Sequence, residues 1–299
     1  MTLTTQPLEA GTVRANGVDF HYFSCGTGPL ALCLHGFPDS PWTYRHLLPV
    51  LANAGFRAVA PFMRGYAPTS VPPDARYDMC TIGDDFNALH TALGGDNQAV
   101  LIAHDWGALA AYAALGAQPN RWRRAVICNI PPAAVFGQVA FTYEQLKRFF
   151  YVWFFQMDCA QEILTAGNFS LLDGLWADWS PGYDATTDLE RAKACLRDPA
   201  NLRAALGYYR AVFNPRLFGR ADHALAQAQI LGRPLVMPTL YFHGLRDGCF
   251  AIDRELAAQI PALMGPDSRV ELLEDAGHFL LVERPEVVNP KIVDFLLER

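Results

Sequence analysis

Val100-Leu101-Ile102-Ala103-His104-Asp105-Trp106-Gly107-Ala108-Leu109-Ala110 is the stretch on which the reading of this 299-residue chain turns. Its first four residues are an apolar run of buried-strand length, and Ala108 to Leu115 carry almost nothing polar and favour helix. A strand that passes directly into a helix must turn sharply at the joint. Small residues flank that joint, Ala103 two positions before Asp105 and Gly107 two positions after, as a turn that pushes its central side chain outward requires. The side chain so presented is that of Asp105.

Outward from this joint the same alternation repeats. Leu30 to Leu34 is an uninterrupted apolar run, consistent with a central strand covered on both faces, and it ends at His35-Gly36-Phe37-Pro38-Asp39. Phe56 to Pro61 predicts a further strand, followed by Arg64-Gly65-Tyr66 and a proline-rich loop through Pro73, and Ile82 to Leu93 has helical spacing. Arg124 to Asn129, Pro238 to Phe242 and Arg269 to Leu273 read as strands, and Glu286 to Leu297 as the last helix. Val13 to Phe23, with Asn16-Gly17 at its centre, predicts a hairpin, and residues 1 to 10 a loose tail. Strand alternating with helix at this rhythm predicts an α/β fold with a mostly parallel, doubly wound sheet. Between Pro132 and about residue 230 the rhythm changes to aromatic-rich, helix-compatible segments: Tyr143 to Phe155, Ala185 to Cys195 and Leu202 to Phe213. The expected organisation is a core of residues 1–133 and 231–299 with a helical lid, 134–230, inserted in it.

Composition narrows the function classes. A net charge of −6 and no long basic run remove the electrostatic footprint of a nucleic-acid binder, and a 51% hydrophobic fraction suits a sizeable core. Seven cysteines, scattered without C-x-x-C pairs, argue against a disulfide framework or a structural zinc site and predict a reduced, cytoplasmic setting. Met1 to Ala15 has no basic segment leading into an apolar core, and Phe149 to Phe155 is too short to span a bilayer, so neither export nor membrane insertion is expected.

Three polar residues each follow a strand-like run in the order Asp105, Asp247, His278. Ligands of open α/β sheets sit beyond the carboxyl ends of the strands, so all three are expected at one place. An aspartate with an ordinary pKa near ~3.9 is ionised at neutral pH and needs no base to become a nucleophile. Attack on an acyl group would give a reactive anhydride. Attack on saturated carbon bearing a leaving group gives an ordinary ester, which points to epoxides or alkyl halides. His278, oriented by Asp247, would then activate water against that ester. The main-chain N–H groups of Phe37 and Trp106 are the candidate oxyanion donors.

Together, His35-Gly36-Phe37-Pro38, Arg64-Gly65-Tyr66, Ala103-His104-Asp105-Trp106-Gly107, Gly244-Leu245-Arg246-Asp247 and Gly277-His278-Phe279 resemble the α/β-hydrolase-fold epoxide hydrolases, over nearly the whole chain. The resemblance implies a lid that supplies two tyrosine hydroxyls to protonate the opening ring, a cis Phe37-Pro38 bond and an acid at Asp39 that helps to position water. It implies neither cofactor nor metal. Tyr209, in Gly207-Tyr208-Tyr209-Arg210, matches the second lid tyrosine. At the first, Trp153-Phe154-Phe155-Gln156 offers Phe154 where the family has tyrosine, with Tyr151 about one helical turn earlier on the same face. Either Tyr151 substitutes, or ring opening relies on Tyr209 with a different helper. Tyr151 reads equally as lid packing.

The related haloalkane and haloacetate dehalogenases share the fold and the aspartate, with Trp106 and Trp153 as possible halide donors. Phe37 stands where many haloalkane dehalogenases carry asparagine, Asn129 where one group places its acid, and Trp106 where haloacetate dehalogenases carry arginine. These departures favour an epoxide substrate, small and apolar or uncharged. A non-catalytic ligand-binding protein on this fold is the alternative of another class, and a homodimer is a possible assembly. Asp39 reads equally as a helix N-cap for a segment starting near Pro41, whereas His104 reads as packing beside the turn rather than as part of the chemistry.

Overall fold

A computed structural model describes residues 7–217, 220–222, 225, 229 and 231–298. The sheet has eight strands: β1 (Glu9–Ala15), β2 (Val18–Cys25), β3 (Leu30–Leu34), β4 (Arg57–Pro61), β5 (Val100–His104), β6 (Arg124–Cys128), β7 (Thr239–Gly244) and β8 (Arg269–Leu273). Their spatial order is β1-β2-β4-β3-β5-β6-β7-β8. The β1–β2 hairpin and the β2–β4 pair are antiparallel, and every pair from β4 to β8 is parallel. This is the α/β architecture that the alternating pattern predicts. The carboxyl ends of β3, β5, β6, β7 and β8 therefore open on one edge, where loop residues from distant parts of the chain meet.

The central strands are apolar throughout because both faces are covered. Leu30, Leu32, Leu34, Leu101, Ala103, Ala125 and Ile127 enter one core, while Ala31, Cys33, Val100, Ile102, Val126 and Cys128 enter the other. That alternation is the two-residue period of a strand. Asn16 and Gly17 both take positive φ, 43° and 77°, the conformation of a tight hairpin turn. The pairing runs out to Glu9↔Ser24 and Ala10↔Phe23, so Glu9 and Ala10 belong to β1 and not to a loose tail. Both are solvent-exposed, which is why their side chains gave no strand pattern.

Between β6 and β7 every described element is a helix, and the expected boundary at residue 230 lies outside the described residues. The expected helix over Tyr143–Phe155 is two short ones, Tyr143–Arg148 and Phe150–Phe154, which break at Phe149. Helices Ala133–Val139 and Ala160–Trp179 were not anticipated; the second is interrupted at Ala166–Phe169, where Gly167, Asn168 and Phe169 have positive φ. Thr186–Leu196 and Pro199–Val212 complete the described helices of this segment. Among the described residues no helix is long and apolar enough to cross a membrane.

Candidate active site

β5 ends at His104 and the helix Trp106–Ala117 begins one residue after Asp105, which takes φ 52° and ψ −119°. A non-glycine residue held there is strained, and the strain is set by what packs around it. Two glycines make room. A Cβ on Gly107 would stand 2.3 Å from the Leu34 carbonyl oxygen, and one on Gly36 would stand 2.2 Å from Asp105 Oδ1. The His35–Asp39 loop can thus lie directly against the aspartate, and the Phe37 N–H donates to Asp105 Oδ1 at 2.7 Å. The Phe37-Pro38 bond is cis. Trp106 is the first residue of its helix, where backbone N–H groups have no intrahelical acceptor.

The other carboxylate oxygen faces His278, with Oδ2 3.5 Å from Nε2. On the far side of the ring, Nδ1 lies 3.0 Å from Asp247 Oδ2. Asp247 also accepts from the N–H groups of Cys249 and Phe250 and from Asn129 Nδ2 at 2.7 Å. The carbonyl of Trp179, at the end of the Ala160–Trp179 helix, accepts from both Gly248 N–H and His278 N–H. That single oxygen ties the loop after β7 to the loop after β8, so the helical segment holds Asp247 and His278 in register.

Burial opposes charge at all three positions, and their mutual attraction prevails. Asp247 is desolvated, yet His278 and the Asn129 hydrogen bond bring it down to about 2. Asp105 is likewise lowered, the cost of burial being outweighed by His278, His104 and the Phe37 N–H. Desolvation pulls His278 down, but two flanking carboxylates lift it to about 10. His104 is neutral, lowered to about 3 chiefly by burial, and its Nε2–H donates to the His278 carbonyl at 2.9 Å. It braces the turn, in line with a packing role. His35, buried and lowered to about 4, holds the loop through its Nδ1–H to the Gly36 carbonyl and accepts from Met63 N–H.

Beside Asp105 lies a pocket lined by Trp106, Leu109, Ile130, Phe149, Tyr151 and Tyr209, with about 370 Å³ of space not filled by atoms, open solvent at its mouth included. Tyr151 and Tyr209 meet edge-on there, ring centroids 5.7 Å apart. Burial holds both phenols protonated, well above their ordinary pKa, although the Trp106 side chain, edge-on to Tyr209 at 4.7 Å, works the other way. The Tyr151 hydroxyl hydrogen-bonds Cys249 Sγ at 3.4 Å. Trp153 and Phe154 do not line this pocket: in the Phe150–Phe154 turn, Tyr151 and Val152 point inward and the next two residues lie half-exposed on the other side. Phe155 is the inward residue instead, packed against Phe37 and Tyr209.

Asp39 is buried; its Oδ1 accepts the Ser40 N–H, and its Oδ2 has no partner. Burial, with Asp188 adding, pushes its carboxyl up to about 7. It is not an N-cap, since Ser40 stands at that position of the Pro41–Tyr44 turn. Asn129 and Cys249 were missed as site members by sequence reasoning. Asn129 had one signal, its place at the end of a strand, whereas Cys249 is two residues past the acid and had none.

Residues 29–285 match the family model described as the α/β hydrolase fold. The AB hydrolase superfamily protein YfhM of Bacillus subtilis is 27% identical over 95% of this chain and 96% of its own length. An epoxide hydrolase of Caballeronia sordidicola is 28% identical over 95% of this chain and 92% of its own. Among solved structures, Bacillus megaterium epoxide hydrolase in complex with an inhibitor superposes with a TM-score of 0.82 at 27% identity, covering 96% of this chain and all of that one. With the strained turn after β5 and the Asp–His pair on the loops after β7 and β8, the match assigns the chain: it belongs to the α/β hydrolase fold family.

Proposed function

We propose that this protein hydrolyses a small apolar epoxide to its vicinal diol through an ester on Asp105. The observation that carries the reading is the conjunction of an ionised aspartate with two protonated tyrosines in one apolar pocket, on a scaffold similar to that of epoxide hydrolases. Residues 134–230 act as the lid that brings those tyrosines over the nucleophile.

Asp105 Oδ2, the oxygen not held by Phe37, attacks a ring carbon. The carbon–oxygen bond breaks, and the departing oxygen takes the proton of Tyr209, with Tyr151 as its partner. Esterification removes the charge of Asp105, one of the two carboxylates that keep His278 protonated. The imidazolium then returns its proton to the tyrosinate and becomes the neutral base that the second step needs. A water gives its proton to His278 as it adds to the Asp105 carbonyl carbon. The N–H groups of Phe37 and Trp106 stabilise the oxyanion, each such donor being worth roughly 3 kcal/mol. Collapse expels the diol, which takes the proton from His278; Asp105, now a neutral acid, hands its own proton back to the histidine. One water has been added and every side chain restored. Asp39, buried with one unpartnered carboxylate oxygen, is the group proposed to help to position that water.

Incubation with styrene oxide, followed by diol analysis, tests the reading against its runner-up. Diol formation faster than bromide release from a comparable bromoalkane is expected. Faster bromide release would transfer the assignment to a dehalogenase.

A further inference from the structure

Cys249 adds a third metal-binding donor type beside the Asp105 carboxylate and the His278 imidazole. The thiol is 2% exposed, and its Sγ, a carboxylate oxygen of Asp105 and a ring nitrogen of His278 all lie within 4.8 Å of one another, the one such trio among the described residues. His278 Nε2 is fully buried and has no hydrogen-bond partner, and it points at Asp105 Oδ2. From this geometry we infer that Asp105, Cys249 and His278 form an inhibitory site for a borderline-soft divalent cation such as Zn²⁺.

The donor set and its surroundings both fit. Zinc bonds of roughly 2.0–2.3 Å to oxygen, nitrogen and sulfur place tetrahedral ligands about 3.3–3.8 Å apart. The Asp105–His278 separation of 3.5 Å already lies in that range, and Sγ lies within 4.8 Å of both ligand atoms. Metal-bound histidines usually give their other ring N–H to a carboxylate that fixes tautomer and orientation. Asp247 does this for His278 at 3.0 Å. Three protein ligands leave a fourth position open to the apolar pocket, as in zinc sites that keep a place for water. Binding forms three metal–ligand bonds and releases two protons to solvent, one from the Cys249 thiol and one from the His278 imidazolium. Mg²⁺ and Ca²⁺, which prefer oxygen ligands, are excluded by the thiolate and imidazole. The binding claim is independent of the epoxide reading. The inhibition rests on that reading, because the cation would cover the carboxylate proposed as nucleophile.

Two measurements separate these parts. Titration of the full-length protein with Co²⁺ should give the near-ultraviolet thiolate-to-metal band and the visible bands of tetrahedral cobalt, displaced by Zn²⁺. Cys249→Ser should abolish the near-ultraviolet band and weaken Zn²⁺ binding more than about 100-fold, beyond what loss of an outer-shell partner costs. No such band in the wild type, or a band that persists in Cys249→Ser, overturns the site. Should Cys249→Ser fail to fold, Asp105→Asn takes its place, with at least a tenfold loss of Zn²⁺ affinity expected and unchanged affinity overturning the site. Zn²⁺ should also inhibit epoxide turnover competitively, while Mg²⁺ and Ca²⁺ do not. A cobalt band with turnover undiminished at saturating Zn²⁺ upholds the site and overturns both its inhibitory role and Asp105 as nucleophile.

Discussion

Asp105→Asn removes one of the two charges that flank His278 and leaves the side chain's shape nearly intact. Asp105 Oδ2 and His278 Nε2 are 3.5 Å apart, with side chains only 8% and 0% exposed. At an effective dielectric of ~20, opposite unit charges at that distance attract by about 5 kcal/mol, an upper limit of roughly three to four pK units. Opposite charges this close typically move a pKa by about 1–3 units. His278, lifted to about 10 with Asp105 as one contributor, should therefore titrate about 1–3 units lower in the variant, with Asp247 still holding part of the shift. The assay is nitrogen NMR of histidine-labelled protein, following both ring nitrogens through the alkaline range. The folded pKa lies above the ordinary 6.5, so this group's contribution to stability is full below about pH 6.5 and lost as pH rises through about 10. In Asp105→Asn that loss should be complete at a lower pH. An identical His278 midpoint in the two proteins would refute the idea that esterification of Asp105 frees the base.

Tyr209→Phe should slow the alkylation step about 10²–10⁴-fold in single-turnover kinetics, the usual range for a lost general acid, and Tyr151→Phe should slow the same step. An unchanged rate in Tyr151→Phe would make it a packing residue and leave Tyr209 with another helper. Gly36→Ala puts a Cβ 2.2 Å from Asp105 Oδ1, so it should displace the nucleophile or the Phe37 amide and cost on the order of 10² in kcat; wild-type turnover would show that the loop yields freely. Asp85→Ala leaves the Arg64 guanidinium, 1% exposed and bonded through two nitrogens to that carboxylate, buried without its partner. A loss of about 3–5 kcal/mol in urea denaturation is expected, and less than 1 kcal/mol would mean that Asp74 or water compensates.

How much of this was legible in the sequence depends on whether a feature is local. Strand β5, the turn at Asp105 and the helix after it announce themselves within eleven residues, because a buried parallel strand is uniformly apolar and a sharp turn needs small neighbours. β8, an edge strand that is only partly buried and carries Arg269 and Glu271, is also found at Arg269–Leu273, and β6 is one residue shorter than expected because Asn129 looks like a strand end. The order Asp105, Asp247, His278 implied a common edge only once the sheet was taken as parallel. In the Phe149–Phe155 run, by contrast, every residue but Val152 is aromatic, so apolarity gives no phase. Which of Tyr151, Trp153 and Phe154 faces inward is set by the break at Phe149, a tertiary choice. Cys249 and the Trp179 carbonyl could not be read at all, since a cysteine after an acid and a main-chain oxygen at a helix end carry no signal until the fold brings them to His278.

In the proposed reaction the first oxygen delivered to carbon comes from Asp105 and not from water. A single turnover with protein in excess over styrene oxide, run in oxygen-18 water, tests it most directly. The first diol should be free of the label, with oxygen-18 appearing in the Asp105 carboxylate and in diol only on later turnovers. Oxygen-18 in the first diol formed would contradict it.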